Sequence, residues 1–219
     1  MADKKNYQVI LASRPQGKPQ KDNFVIKKKS IPSLKNGEVL IRTIYLSLDP
    51  YMRGRMNSGK SYAKPVETGE VMVGGTVGRV IDSKNSMFNI GDFVFGYGGW
   101  QEFWVQRDKG LRKLDPKKAP ISTATGILGM PGVTAYTGLL NIGNPKKDET
   151  VLVAAAAGAV GSAVGQIAKI KGAKVVGIAG SSEKCEFVTK ELGFDSCINH
   201  KSNNFPEILK KACPNGIDV

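Results

Sequence analysis

The segment of residues 153–166, VAAAAGAVGSAVGQ, contains no side chain that could act as an acid, a base or a nucleophile. Its chemistry must therefore come from its backbone. Gly158 and Gly161, with Ala155 before them, form the pattern A-x-x-G-x-x-G between a predicted strand and a predicted helix. Small residues there permit a sharp turn and let a diphosphate approach the N–H groups at the helix N-terminus. The pattern predicts a dinucleotide site, although small residues also serve plain helix–strand packing.

The segment GIAGSSEK, about twenty residues further on, distinguishes the two nicotinamide dinucleotides. Sites specific for NAD place Asp or Glu at the end of the second strand, where the carboxylate binds the ribose 2′-hydroxyl. Here Gly180 and Ser181 occupy that position and Lys184 follows. A 2′-phosphate would meet a cation and no opposing carboxylate, which favours NADP(H). Glu183 lies close enough to keep NAD(H) as the alternative, and Lys184 has the alternative interpretation of a solvated helix residue.

Residues 150–219 alternate between strand and helix patterns. We predict strands at 150–154, 174–178 and 196–199, and helices at 159–171, from a cap at Ser182 to about 192, and at about 205–213. The final NGIDV resembles the start of a fourth strand. Such alternation indicates a parallel sheet. A doubly wound domain has about six strands, so we expect only the N-terminal half of a Rossmann domain in this chain.

Residues 7–114 are rich in short β-prone runs separated by Gly, Pro, Asn and Asp: VLIRTIYLSLD, VMVGGTVGRVID, GDFVFGYG and EFWVQ. The density of glycines predicts a compact β-barrel with tight corners. The pattern changes to helical spacing near Lys117. We therefore predict an α/β protein of two domains, residues 1–124 and 125–219.

Charge is concentrated in the first of these domains. The 219 residues have a net charge of +13, and residues 1–124 hold 22 of the 32 Lys and Arg but only 11 of the 19 Asp and Glu. The only basic cluster is Lys27, Lys28 and Lys29, and no helical face repeats Lys or Arg. A diffuse field that attracts anionic cofactors is favoured over a dedicated nucleic-acid surface.

Targeting and cysteine patterns indicate an ordinary intracellular protein. The start MADKKNYQVI lacks the pattern of a secretory signal, and no apolar run is long enough to cross a bilayer, so we expect a cytoplasmic location. Cys185, Cys197 and Cys213 show no C-x-x-C spacing. We expect reduced thiols rather than a disulfide framework or a zinc knuckle.

Four motifs together resemble the medium-chain dehydrogenase/reductase superfamily: LSLDPYMRGRM (46–56), LGMPGVTAYTGL (128–139), AAAGAVGSAVGQIAK (155–169) and GSSEK (180–184). Within it they are most similar to the zinc-independent double-bond reductases that act on prostaglandins, curcumin and alkenals. The resemblance implies a GroES-like catalytic domain at residues 1–124 and an NADP-binding Rossmann domain from residue 125. It also implies a homodimer when the chain is full length, and further active-site residues beyond Val219, without which residues 1–219 alone should have little activity.

The resemblance also implies roles for individual residues. The DPYM tyrosine, Tyr51, corresponds to a catalytic and substrate-lining residue, and Tyr97 to a substrate contact; either has the alternative of an ordinary half-buried tyrosine. His200 stands where relatives have a tyrosine that binds phosphate, or it is simply a surface histidine. The implied cofactor contacts are Gly158, Ala159, Val160 and Gly161 on the pyrophosphate, and Ser181, Lys184 and His200 around the 2′-phosphate.

Zinc can be judged from ligand counts. A catalytic zinc site of the alcohol-dehydrogenase type needs thiolate and imidazole ligands, and residues 1–124 contain no Cys and no His. We therefore expect no metal. A hydride acceptor must then be electrophilic by itself, as an α,β-unsaturated ketone or aldehyde is. The alternative is a catalytically silent relative that binds nucleic acid or another anionic partner through its basic β-domain.

Overall fold

The computed structural model describes residues 5–219, which form two compact units, one ending at Thr125 and the other spanning Gly126–Val219. Residues 1–4, part of the segment used to argue against a leader peptide, lie outside the described residues. None of the helices described is both long and apolar enough to span a bilayer.

The N-terminal unit is mainly antiparallel β-structure. Strands β3, β4, β5, β6 and β7 form one sheet in the order β6-β3-β4-β5-β7, while β1 and β2 form a separate pair. Short 3-10 helices cover Lys21–Asn23 and Ile121–Thr125. The other elements are β1 (Lys5–Leu11), β2 (Phe24–Ser30), β3 (Glu38–Leu46), α1 (Tyr51–Arg55), β4 (Thr76–Ser83), β5 (Phe93–Gly96), β6 (Phe103–Arg107) and β7 (Arg112–Leu114).

Two expectations for this unit need correction. The β-prone pattern of residues 7–114 did not predict the helix α1, which begins directly after Pro50 because proline is compatible with the start of a helix. The run from Val71 becomes regular strand only at Thr76, and Val71 makes a single bridge to Ile10. The strands lie in two sheets, and β1 also bonds to the segment before β6, where Val9 N donates to Trp100 O at 2.8 Å, so the predicted barrel is not confirmed.

A small methionine-rich core positions α1 in this unit. Met52 and Met56 of the helix segment pack with Leu11, Val66 and Met72, all of them nearly inaccessible to solvent. Burying a side chain of this size stabilises a fold by about 1.5–3 kcal/mol. Tyr51 packs against the edge of this cluster and remains only half-buried. The core therefore fixes the helix while the phenol of Tyr51 stays near the surface.

The C-terminal unit alternates strands and helices, as the sequence pattern predicts. Its parallel sheet has the order β10-β9-β8, with Val151 opposite Val175 and Ser196 opposite Val176. A π-helical turn, Gly138–Gly143, follows α2. The elements are α2 (Met130–Thr137), β8 (Thr150–Val153), α3 (Ala159–Ile170), β9 (Lys174–Ala179), α4 (Ser182–Lys190), β10 (Ser196–Asn199) and α5 (Phe205–Ala212).

The start of α4 and the structure of residues 215–219 differ from the prediction. The cap of α4 is Ser181 rather than Ser182, because the extended backbone of Ser181 lets its Oγ accept a hydrogen bond from Lys184 N at 3.2 Å. Residues 215–219 do not form the predicted fourth strand. Their end nevertheless runs beside β8, since Leu152 N donates to Val219 O at 2.8 Å and Asp218 N to Thr150 O at 3.0 Å.

The packing of α3 on the sheet depends on small residues. A Cβ added at Gly165 would lie 1.9 Å from the ring of Phe194, which is 4% exposed. Side chains this close cannot coexist without displacement of the ring or the helix. Gly165 therefore sets how near the helix and the segment carrying Phe194 can come.

We predict that Gly165→Ala destabilises the protein by about 1–3 kcal/mol through overpacking, measured by urea unfolding. Gly138→Ala is the matched control, because its backbone is helical and nothing lies within 4 Å of the added Cβ. That change should be neutral or stabilise by up to about 1 kcal/mol. Adding Phe194→Leu to Gly165→Ala should recover part of the loss. Equal stabilities for the two glycine variants would contradict the packing argument.

Candidate functional site

The turn between β8 and α3 is tight, and its tightness excludes side chains. Ala156 N donates to Ile178 O at 2.9 Å, which ties the turn to the end of β9, and Gly158 N donates to Ala155 O at 2.8 Å. A Cβ at Gly161 would lie 2.5 Å from Ala155 O, so only glycine fits there. Ala155 has a left-handed φ of 51°, a conformation that costs a residue with a Cβ about 1–2 kcal/mol.

This turn exposes the N-terminus of α3. Gly158 is the extended N-cap residue, and the N–H groups of Ala159, Val160 and Gly161 that follow have no acceptor within the helix. Gly158, Ala159 and Val160 are exposed, and the first turn contains no Asp or Glu. The positive end of the peptide dipoles is therefore open to an anion.

A cleft of about 460 Å³ opens beside this turn, at the carboxyl ends of the parallel strands. The protein's own side chains do not fill it. This is the position at which open α/β sheets bind their ligands. Most of the lining is alanine or glycine, with two cationic or titratable side chains among them. The lining residues are Ala154, Ala155, Ala157, Gly158, Ile178, Ala179, Gly180, Lys184 and His200.

Lys184 and His200 are brought together at this cleft from different elements. Lys184 lies in the first turn of α4 and has no carboxylate within salt-bridge distance among residues 5–219. His200 follows β10, and its backbone N donates to Ala179 O at 3.1 Å. Its Nε2 lies 3.3 Å from the position that a Cβ on Gly180 would occupy. The cleft is thus lined by a cation, an imidazole and, beside them, residues with small or no side chains.

The other predicted cofactor residues have distinct positions. Ser181 does not line the cleft; its Oγ accepts the Lys184 N–H, so it orients the turn that carries Lys184. Ala159, Val160 and Gly161 contribute the helix N-terminus next to the lining residue Gly158. Ala154, Ala157, Ile178 and Ala179 were not predicted. The signal that could have found them is the rule that residues ending parallel strands surround the ligand.

Tyr51 and Tyr97 interact within the N-terminal unit. Burial raises the pKa of the Tyr51 phenol, and the Asp49 carboxylate and Tyr97 raise it further, against a smaller opposing effect of Arg55. Tyr97 is 66% exposed and packs edge-on against Phe95 at a centroid distance of 5.7 Å. At neutral pH Tyr51 is therefore a protonated hydrogen-bond donor. The sequence motif did not reveal the contributions of Asp49 and Arg55.

Among residues 5–219, no group of three or more His, Cys, Asp or Glu side chains is placed to hold a metal ion.

Each of the two units matches a known protein family. Residues 7–114 match the family described as the N-terminal domain of oxidoreductase, and residues 159–219 match the family described as zinc-binding dehydrogenase. The NADPH-dependent curcumin reductase of Escherichia coli is 52% identical over 98% of this chain and 62% of its own length. Prostaglandin reductase 1 of Rattus norvegicus is 49% identical over 93% of this chain and 60% of its own length.

Solved structures give the same assignment. The crystal structure of CurA in complex with NADPH from Vibrio vulnificus is 53% identical, with a TM-score of 0.93, and the match covers 96% of this chain and 63% of that one. The chain thus spans less than two thirds of the length of these relatives. With identities near one half over almost the whole chain, it belongs to the medium-chain dehydrogenase/reductase superfamily, in the group of curcumin, prostaglandin and alkenal double-bond reductases.

Proposed function

We propose that this protein is an NADPH-dependent reductase of the carbon–carbon double bond of α,β-unsaturated ketones and aldehydes. In this proposal the N-terminal unit is the GroES-like catalytic domain, and the C-terminal unit is the N-terminal half of an NADP-binding Rossmann domain. The observation that carries it is the open cleft beside the N-terminus of α3, lined by Lys184, with which no carboxylate of residues 5–219 is paired. The named activities of the relatives support the same conclusion.

The residues at the cleft suit a phosphorylated dinucleotide. The free N–H groups of Ala159, Val160 and Gly161 would bind the pyrophosphate, where the helix dipole adds to the hydrogen bonds. Lys184 would pair with the 2′-phosphate, and Ser181 would hold the turn that presents it. His200 would donate a hydrogen bond to the same phosphate, in place of the tyrosine of relatives. The net charge of +13 would favour the approach of this anion.

The proposed chemistry needs a hydride and a proton. NADPH, when bound, supplies the hydride that adds to the β-carbon of the substrate. Negative charge then develops on the substrate as an enolate, which hydrogen-bond donors stabilise. Tyr51 keeps its proton at neutral pH, because burial and Asp49 raise its pKa, and it would deliver this proton toward the enolate. Tyr97, next to it, would contact the substrate.

The same proposal extends to the assembly and location of the protein. We expect a cytoplasmic homodimer that acts on small enones or enals, with neither a membrane nor a nucleic acid as partner. Sedimentation equilibrium of the full-length protein and cell fractionation would test these two points.

We predict that the purified full-length protein oxidises NADPH in the presence of enones or enals, followed by the loss of NADPH absorbance. Tyr51→Phe should lower kcat by about 100-fold, because it removes the proton donor. Tyr45→Phe, a partly exposed tyrosine on β3, is the control and should leave kcat unchanged. No turnover with any enone, together with salt-sensitive retention on RNA that NADPH does not reduce, would instead favour the anionic-partner alternative.

We predict that Lys184→Ala raises KM for NADPH by about 10- to 150-fold, the loss expected for a hydrogen bond to a charged group. KM for NADH should change little, because NADH lacks the 2′-phosphate. Lys190→Ala is the matched control, since Lys190 lies in the last turn of the same helix and pairs with Glu186. Lys184→Arg should retain most of the preference for NADPH. Equal effects of Lys184→Ala on both dinucleotides would exclude the 2′-phosphate contact.

We predict that Tyr51 ionises at higher pH than a free tyrosine, as measured by NMR titration of ¹³C-labelled tyrosine with Tyr51→Phe to assign the signal. Asp49→Asn should lower the pKa of Tyr51, because it removes a negative charge that opposes the phenolate. Because the pKa of Tyr51 is higher in the folded than in the unfolded protein, the protonated phenol contributes to the free energy of unfolding. This contribution is fully present below the pKa of the unfolded state and is lost as the pH rises through the pKa of the folded state. A Tyr51 pKa below that of free tyrosine would contradict this assignment.

A further inference from the structure

Two cysteines from separate elements meet where α4 packs on the sheet. Cys185 lies on α4 three residues before Val188, so the two share a helix face. Val188 is fully buried in the core cluster against which Cys197 of β10 packs. Cys197 is opposite Gly177 in the sheet, and its Sγ lies 3.1 Å from the position of a Cβ on Gly177. Both thiols therefore face the same α4–sheet interface.

Cys185 lies near enough to Cys197 to affect its ionisation. Burial, with a smaller contribution from Cys185, raises the pKa of Cys197 to about 12. Cys197 therefore keeps its proton at neutral pH. Both residues are only partly buried, whereas Cys213 is buried in a different cluster with α5. The third cysteine is thus an internal control.

We propose that Cys185 and Cys197 form a redox-sensitive dithiol, which a peroxide converts into an intramolecular disulfide that weakens binding of the 2′-phosphate at the neighbouring cleft. Formation of the disulfide depends only on the two neighbouring thiols. Its effect on nucleotide binding rests on the proposed function. The spacing of the two cysteines in sequence does not reveal the pair, which is why the sequence predicts only reduced thiols.

The oxidation is a two-step reaction with hydrogen peroxide as the oxidant. Cys185 attacks the peroxide, the O–O bond breaks, and a sulfenic acid and one water form. The sulfur of Cys197 then displaces the hydroxyl group of the sulfenic acid, which leaves as a second water with the Cys197 proton. Two electrons pass from the thiols to the peroxide, and a thiol reductant reverses the change.

The position of the pair connects it to the cleft. Cys185 directly follows Lys184 in α4, and β10, which carries Cys197, is followed by His200. A disulfide bond of about 2.05 Å is much shorter than the contact distance of two unbonded sulfur atoms. Closing it must draw the first turns of α4 toward β10, and Lys184 moves with them. An ion pair between Lys184 and the 2′-phosphate depends on their geometry, so this movement would weaken it.

The first test maps the disulfide in the full-length protein. After peroxide treatment, free thiols are alkylated under denaturing conditions and the digest is analysed by mass spectrometry. We expect a linked peptide containing Cys185 and Cys197, an alkylated Cys213, and recovery of all three thiols with dithiothreitol. Absence of the linked peptide, or oxidation of Cys213 at the same rate, would overturn the proposal.

Single variants identify the order of the steps. In Cys197→Ala we expect a sulfenic acid at Cys185 that dimedone labels, because no second thiol can displace it. In Cys185→Ala we expect Cys197 to stay unlabelled, because it keeps its proton. Labelling of Cys197 in place of Cys185 would overturn this order, and the map of the unaltered protein remains decisive if either variant folds poorly.

The second test measures nucleotide affinity of reduced and oxidised protein by calorimetry. We expect oxidation to raise the Kd for NADPH by about tenfold, the lower range for loss of a charged hydrogen bond, with little change for NADH. Lys184→Ala should remove the effect of oxidation. Reduced protein that binds no NADPH would refute the proposed function but leave the mapped disulfide in place. A disulfide that leaves the preference for NADPH unchanged would refute the coupling to the cleft.

Discussion

The close approach of backbone to backbone at the β8–α3 turn is the constraint on which the candidate site depends. Without side chains at Gly158 and Gly161, residues 154–158 can form a tight turn between strand and helix, and the first N–H groups of the helix face open space. The strained φ of Ala155 is offset by the hydrogen bond that ties Ala156 to the end of β9. A larger residue at Gly161 would collide with Ala155 O and displace the helix from the anion-binding position.

The opposite side of the cleft belongs to α4 and β10. Ser181 fixes the start of α4 through Lys184 N, and the backbone of His200 is fixed to Ala179 O. The same two elements carry the neighbouring thiols of Cys185 and Cys197. The proposed cofactor contacts therefore lie on the same packed elements as these thiols, so that a change at the thiols would act on the residues proposed to bind the 2′-phosphate.

In the N-terminal unit, local packing holds the phenol of Tyr51 near the surface in its protonated form. The packing of Met52 and Met56 fixes α1, and this leaves Tyr51 at the edge of the core, where partial burial disfavours the phenolate. Asp49, two residues earlier in the chain, strengthens the effect through its charge. The position and the protonation state of Tyr51 thus come from the same local packing.

The sequence by itself determined the parallel alternation of residues 150–199, the turn of small residues before α3 and the absence of an acid at Gly180 and Ser181, because these follow from local spacing and composition. It did not determine the division of the β-strands into two sheets, the helix at Tyr51, or Ser181 as the cap of α4. It also did not show that His200 and Lys184 line one cleft or that Cys185 and Cys197 are neighbours. These residues belong to different elements, and only the packing of α4 and β10 around β9 brings them together.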